Sequence, residues 1–293
     1  MFVFTQAHQL RDEPNFDPAD VLNGVTPDPS WRNAPGRIWV EVDGQADSLR
    51  VYGGPCFDAS LDPIIFLEGD SISRQDPVSG TVTVGDLYSA LSPFHKQSEA
   101  EQYTRAFLRP FINLARPGVF GSSGDHRQRR RPREVALIDA ALDALRDHFG
   151  WRRLHLAGQS GGGHLVACLI ARRSDIGCAV IASGNVAVRR RNELMGLEVD
   201  RTGYADFVDP IDLVGDVALH PPERIVVLTD RDDAVVAAST QQAYVDALRG
   251  VGVPVGHRMI WADDPRHHAL RLPAMLAAAA GANADRLPPA TGA

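Results

Sequence analysis

Lysine is almost missing from this chain of 293 residues, with Lys96 the only one, so its basic character is carried by arginine. We read that bias as codon usage rather than chemistry. Cysteine is scarce as well. Cys56, Cys168 and Cys178 form no C-x-x-C pair, which excludes a disulfide scaffold and the usual zinc spacings. There is no basic excess: the formal charge is −7, which argues against a general nucleic-acid binder. Long apolar runs are lacking too. The clearest, residues 165–171, falls far short of the roughly 18 residues a membrane span requires. The first residues have no apolar segment of signal-peptide length, so the sequence is read as that of a soluble cytoplasmic protein without a membrane partner.

What is present is ordinary in proportion. The chain is 44% hydrophobic and 23% charged, which excludes a largely disordered protein. A chain of this length buries roughly three quarters of its unfolded surface, so stability demands neither metal nor disulfide.

Residues 1–36, rich in Pro, Asp and Asn with Trp31 as the one large anchor, are expected to form an arm lying over a domain, or to be partly disordered. Alternation over 38–43 and 48–52 predicts two strands. The continuous apolar run 63–67, bounded by Pro and Gly, suits a strand buried on both faces. A helix over 98–107 is expected from a capping box of Ser98 with Glu101, and a strand over 111–119 ending in Gly121-Ser-Ser-Gly124. Pro132 opens a helix whose Val135, Ile138, Leu142, Leu145 and Phe149 recur at helical spacing before Gly150. Strands over 154–157, 176–182, 225–228 and 255–261 then alternate with helices over 164–171, 239–249 (capped by Ser239 with Gln242) and 273–280. Residues 185–222 lose this periodicity and read as an insertion. Strand–helix alternation after a few antiparallel strands implies an α/β fold, a mostly parallel sheet with helices on both faces.

The chemistry starts at Gly158-Gln159-Ser160-Gly161-Gly162, a G-x-S-x-G turn between a predicted strand and a predicted helix. Such a turn holds the serine in a strained conformation. A Cβ two residues to either side would collide with neighbouring backbone, so those positions are glycine. The hydroxyl is then exposed at a helix N-terminus, and the Gly161 N–H can face a developing oxyanion. A phosphate-cradling turn is the other reading, but the Lys-Ser/Thr ending of such loops is missing. A serine nucleophile needs a base and a group to orient it, in the order Ser, acid, His in this topology. The acid-rich stretch Asp230-Arg-Asp232-Asp233 follows one predicted strand, and His267-His268 follows the next.

On these residues the chain resembles the α/β-hydrolase superfamily over residues 38–280. It is most similar there to the stand-alone catalytic domains of prolyl-oligopeptidase-like serine hydrolases. The resemblance implies a catalytic domain over 37–293 with a lid-like insertion at about 185–222. It implies Asp233, in Asp233-Ala-Val-Val236, as the D-x-x-V acid, with Asp232 and Asp230 as alternatives. It implies His268, in His268-Ala-Leu270, as the H-G-[LF] base, with His267 as the competing alignment. Glu68-Gly69-Asp70 stands where the family has H-G-x, so the Asp70 N–H would join Gly161 as oxyanion donor, with Glu68 replacing the usual His. Gln159 and Gly161 differ from the aromatic flanks of G-W-S-Y-G, so proline specificity is not implied. The expected activity is a serine hydrolase acting on a small-molecule ester or short acyl or peptide substrate, without metal or organic cofactor. A small serine peptidase or aminopeptidase is the alternative, and a non-catalytic binding protein on the same fold a third reading.

Other residues carry weaker signals. His164 and His155 are expected to pack in helix and strand, and Cys168 and Cys178 to be buried and inert. His126 and the run Arg127 to Arg133 are expected to form a solvated surface ahead of the Pro132 helix rather than an anion site. Gly121–Gly124 is open between pocket wall and tight connection. Arg189, Arg190 and Arg191 in the insertion are equally open between carboxylate recognition and a solvated charge run.

Overall fold

A computed structural model describes residues 2–54, 61–75, 82–85 and 87–284; Cys56 lies outside them. Ten strands are present, β1 Arg37–Val42, β2 Gln45–Gly53, β3 Ile64–Leu67, β4 Ile72–Gln75, β5 Val82–Val84, β6 Phe111–Leu114, β7 Leu154–Gln159, β8 Ile176–Ala182, β9 Arg224–Thr229 and β10 Gly256–Met259, among the described residues. The helices are α1 Pro18–Asn23, α2 Pro93–Phe107, α3 Pro132–Phe149, α4 Gly161–Leu169, α5 Val188–Leu194, α6 Val214–Leu219, α7 Ala238–Gly250 and α8 Arg271–Asn283.

Eight strands form one sheet in the order β1-β2-β6-β3-β7-β8-β9-β10, while β4 and β5 pair apart from it. The first two strands close an antiparallel hairpin through Asp43 and Gly44, both at positive φ, the conformation a two-residue hairpin turn needs. From β6 onward every pairing within the large sheet is parallel. The apolar runs of β3, β7 and β8 are buried on both faces for that reason. One core joins the sheet to α3, α4 and α7, the other to α2 and α8. No described helix is long and apolar enough to cross a membrane.

Several boundaries differ from the sequence reading. α2 starts at Pro93, where Ser92 caps it and its N–H donates to His95 Nδ1 at 3.1 Å; Ser98 lies inside the helix and caps nothing. α7 starts at Ala238 with no side-chain cap, because Ser239 is already within its first turn. β6 ends at Leu114, although the Ala115 N–H still donates to the Arg50 carbonyl of β2 at 3.0 Å. The insertion is structured, holding α5, a 3₁₀ turn at Pro210–Leu213, and α6. The N-terminal arm lies over the domain, but Trp31 is not its anchor. It is half-buried under Arg37, whereas Phe16 packs between Tyr88 and Phe120 and Val21 is fully enclosed.

Parallel strands all present their carboxyl ends to one edge, where connecting loops meet and ligands commonly bind. Here the ends of β3, β7, β9 and β10 bring together Glu68–Asp70, Ser160, Asp230–Asp233 and His267–His268.

Candidate active site

Ser160 follows β7 with φ 57° and ψ −116°, a conformation L residues rarely adopt. It persists because the turn is pinned on both sides. The Ser160 N–H donates to the Ala182 carbonyl at 2.8 Å, and its carbonyl accepts the His164 N–H at 3.0 Å. A Cβ on Gly158 would overlap the Gly162 backbone, and one on Gly162 would overlap the Leu67 carbonyl. Both flanking glycines are therefore required by close approach of β7, α4 and the end of β3.

His268 Nδ1–H donates to the Asp233 carboxylate, at 3.0 and 2.9 Å from its two oxygens. Asp233 also accepts the Val235 and Val236 N–H groups, each at 2.8 Å, so the acid is fixed by its own loop. The histidine is fixed by others. Asp264 accepts the His268 and Ala269 N–H groups at 2.7 and 2.6 Å, and Gln159 Nε2 donates to the His268 carbonyl at 3.0 Å. With Nδ1 engaged, Nε2 is left for proton transfer, and His268 and Ser160 line the same cavity of about 380 Å³. No hydrogen bond joins the two among the described residues, a spacing common in sites that tighten only around substrate.

The alternatives sort themselves by position. His267 Nδ1–H donates to Asp230 at 3.2 Å, its ring edge-on to Trp261 at 4.4 Å, and it does not line the cavity. Asp230 serves the loop, accepting the Ala262 N–H at 2.7 Å and the Asp232 N–H at 2.9 Å. Asp232 is exposed.

The loop after β3 comes up beside the serine. The Asp70 and Gly161 N–H groups donate to no acceptor among the described residues, and both residues line the cavity. The Asp70 side chain is held by three guanidinium groups: Arg130 at 2.7 Å, Arg116 at 2.8 Å and Arg129 at 3.0 Å. Burial would raise its pKa, but those cations outweigh it and keep the carboxyl well below the usual range. A Cβ on Gly161 would overlap the Asp70 carboxylate, which explains why no aromatic residue follows the serine here. Glu68 is buried between Lys96 and Arg271; these two cations overcome burial and hold it ionised. Arg116 donates to the Glu68 carbonyl at 3.2 Å and reaches Glu134 at 2.8 Å, tying the loop to α3.

The arginine run divides: Arg127 is exposed beside Asp125, as expected of a solvated surface, while Arg129 and Arg130 are not solvated. Arg129 and Arg130 are buried and line the cavity, because their acidic partners Asp70 and Asp200 come from elsewhere in the chain. His126 is buried too, accepting the Ser71 N–H at 3.2 Å; burial first, then Arg116 and Arg129, push its pKa far down. Within 189–191 the residues divide: Arg189 pairs outward with Asp212, Arg190 is exposed, and Arg191 turns into the cavity. Gly121–Gly124 is a tight connection, with Ser122 and Ser123 hydroxyls accepting backbone N–H groups of β2 at 2.8 Å. His164 Nε2–H donates to the Val208 carbonyl at 2.8 Å, and His155 is buried within β7. Cys168 and Cys178 are buried. No group of three or more His, Cys, Asp or Glu side chains is gathered as a metal would require, among the described residues.

Of the residues that build this site, sequence reasoning missed Gln159, Asp264, Arg129, Arg130 and the Lys96–Glu68–Arg271 cluster. One signal was available. Lys96 is the chain's single lysine, and it is 5% exposed.

This sheet order, with its Gly-Gln-Ser-Gly turn after β7 and an aspartate and a histidine in the loops after β9 and β10, is the α/β-hydrolase fold. No family model and no curated sequence matches the chain. Solved structures do. The Est1E protein of Butyrivibrio proteoclasticus, determined with ferulic acid bound, is similar at a TM-score of 0.59 and 14% identity, over 84% of this chain and 96% of that one. The esterase Pf2001 of Pyrococcus furiosus is similar at a TM-score of 0.58 and 12% identity, over 97% and 98%. Prolyl oligopeptidase B of Galerina marginata gives 0.53 and 14%, over 85% of this chain but 36% of the larger enzyme.

Proposed function

We propose that the protein is a serine hydrolase that cleaves a carboxylic ester or related acyl bond. The observation that carries this reading is the meeting, in one cavity, of a serine on a left-handed strand–helix turn with a histidine bonded to a buried aspartate. Ser160 Oγ attacks the carbonyl carbon while His268 Nε2 takes its proton. Asp233 keeps the imidazole in the required tautomer and stabilises the imidazolium. The oxyanion is received by the N–H groups of Gly161 and Asp70, whose freedom from internal acceptors supports the assignment. The imidazolium returns its proton to the leaving oxygen, and water, activated by the same histidine, releases the acyl group.

Electrostatics support Asp70 as a donor in spite of its negative side chain. Three guanidinium groups neutralise the carboxylate and fix the loop, so its N–H is positioned before substrate arrives. A fluorophosphonate probe should label Ser160 stoichiometrically, and Ser160→Ala should abolish both labelling and hydrolysis of 4-nitrophenyl esters. A folded wild-type protein that is not labelled sinks the hydrolase reading. An aminoacyl anilide cleaved faster than the matching ester would make the protein a peptidase.

A further inference from the structure

The charges around the cavity do not balance locally. Asp70 is shared among Arg116, Arg129 and Arg130; Asp200 takes Arg130; Glu134 takes Arg116; Glu68 and Glu99 take Lys96 and Arg271. After these pairings Arg191, Arg201 and the exposed Arg266 still have no carboxylate within 4 Å among the described residues, and all three line the cavity that holds Ser160. Arg201 is half-buried and makes no side-chain hydrogen bond among the described residues. Arg191 is 6% exposed. Its Nε and one Nη donate to the Val235 carbonyl at 3.2 and 3.1 Å, leaving the other Nη without an acceptor. A buried cation without a counter-ion is costly, and proteins rarely keep one without use. Burial, with Arg130 and Arg201 nearby, outweighs the more distant Asp200 and Asp70 and pushes the Arg191 pKa down to about 10, so it is still charged at neutral pH. Asn185, 3% exposed on the same wall, has a side-chain oxygen with no partner. Its amide NH2 carries two donors.

We infer that the cavity takes an ester whose substrate carries a second, anionic oxyacid group, a carboxylate or a phosphate, held by Arg191 and Arg201 with Asn185 beside them. Because this is the cavity of Ser160, the assignment rests on the hydrolase reading above. Guanidinium groups suit such anions by their planar, paired N–H donors. An uncharged acyl chain would leave both cations unpaired as it excluded water from them. Both arginines belong to the insertion after β8, so substrate selection resides in that segment while the chemistry resides on the sheet.

Two measurements test this, one of which needs no turnover. Calorimetric titration with glutarate and, separately, with inorganic phosphate should show one-site binding of at least one anion, weakening at high salt. The anion that binds more tightly identifies the group. Arg191→Gln and Arg201→Gln should each weaken it by about tenfold or more, with Arg191→Lys recovering part of the loss. Should Arg191→Gln not fold, Arg201→Gln, at a more exposed position away from the Asp233 loop, carries the test alone. Kinetically, a carboxylate-selective site prefers mono-4-nitrophenyl glutarate over 4-nitrophenyl butyrate by about tenfold in kcat/KM, and the ratio collapses in the arginine variants. A purely structural role for Arg191 would lower both esters together and leave the ratio intact. A phosphate-selective site shows the same pattern with a phosphate-bearing ester.

Absence of binding by both anions, or binding equal in wild type and variants, overturns the anion site. Binding without a preference for the matching charged ester overturns the substrate assignment. Neutral-ester turnover and Ser160 labelling without anion binding remove this inference and leave the hydrolase standing. Anion binding without Ser160 labelling keeps the anion site but removes the ester assignment together with the hydrolase reading.

Discussion

His267 and His268 are neighbours in the chain, and each donates its Nδ1–H to an aspartate of the β9 loop, Asp230 and Asp233 respectively. By composition the two pairs are the same device. They differ in where the backbone sends them. His267 sits at φ 53°, so the chain reverses at that residue and the two imidazoles part. His268 enters the cavity with Ser160, its side chain 11% exposed, while His267 stays outside against Trp261, 26% exposed. The same histidine–aspartate contact thus stands beside Ser160 in one case and beside Trp261 in the other.

The widest separation between the pairs should be seen at the histidines. His268→Ala is expected to cut kcat by about 10⁴-fold or more, since no base remains for Ser160. His267→Ala should stay within about threefold of wild type. Comparable losses from both would mean that the outer pair takes part in turnover. At the acids, Asp233→Asn should lower kcat by about 10⁴-fold, because an amide no longer fixes the tautomer. Asp230→Asn should instead lower stability by about 1–2 kcal/mol, since it holds the Ala262 and Asp232 N–H groups, with activity per folded molecule retained. Denaturant melts alongside kcat separate these outcomes, and an Asp230 variant that is stable but inactive would reverse the assignment.

His164 sharpens the contrast at a smaller scale, having a carbonyl partner and no carboxylate. Burial pushes its pKa down to about 4, against the pull of the Val208 carbonyl. The unfolded chain then binds more protons than the folded one between pH 6.5 and about 4. This contribution to stability is complete above the unfolded pKa and is lost as pH falls through that window, by up to about 3 kcal/mol. Urea midpoints should fall more steeply with acidification in wild type than in His164→Asn; parallel curves would rule this histidine out.

The Ser160 turn was legible because its causes are local. A strained serine between a buried strand and a helix demands glycine at 158 and 162, and that demand is written into consecutive residues. The α3 helix was legible for the same reason, from its apolar spacing, Pro132 and Gly150. The α2 start was not, since a box at Ser98 and a cap at Ser92 look alike until tertiary contacts choose. The run Arg127 to Arg133 misled more seriously. A cluster of like charges reads as solvated when its neighbours in sequence supply few carboxylates. Asp70 and Asp200, which neutralise the buried Arg129 and Arg130, are about sixty and seventy residues away from Arg130.

Sequence alone determined the alternation that lays parallel strands between two helical layers. It also determined the turn that exposes Ser160 and the presence of an acid and a histidine at later strand ends. Each follows from short-range sterics and hydrophobic periodicity, which a linear string records. Which aspartate meets which histidine, which arginines face the cavity, and where charge is left over were decided only by the fold. Those are questions of distance and burial between residues remote in the chain, and burial is what makes an unpaired charge expensive enough to matter.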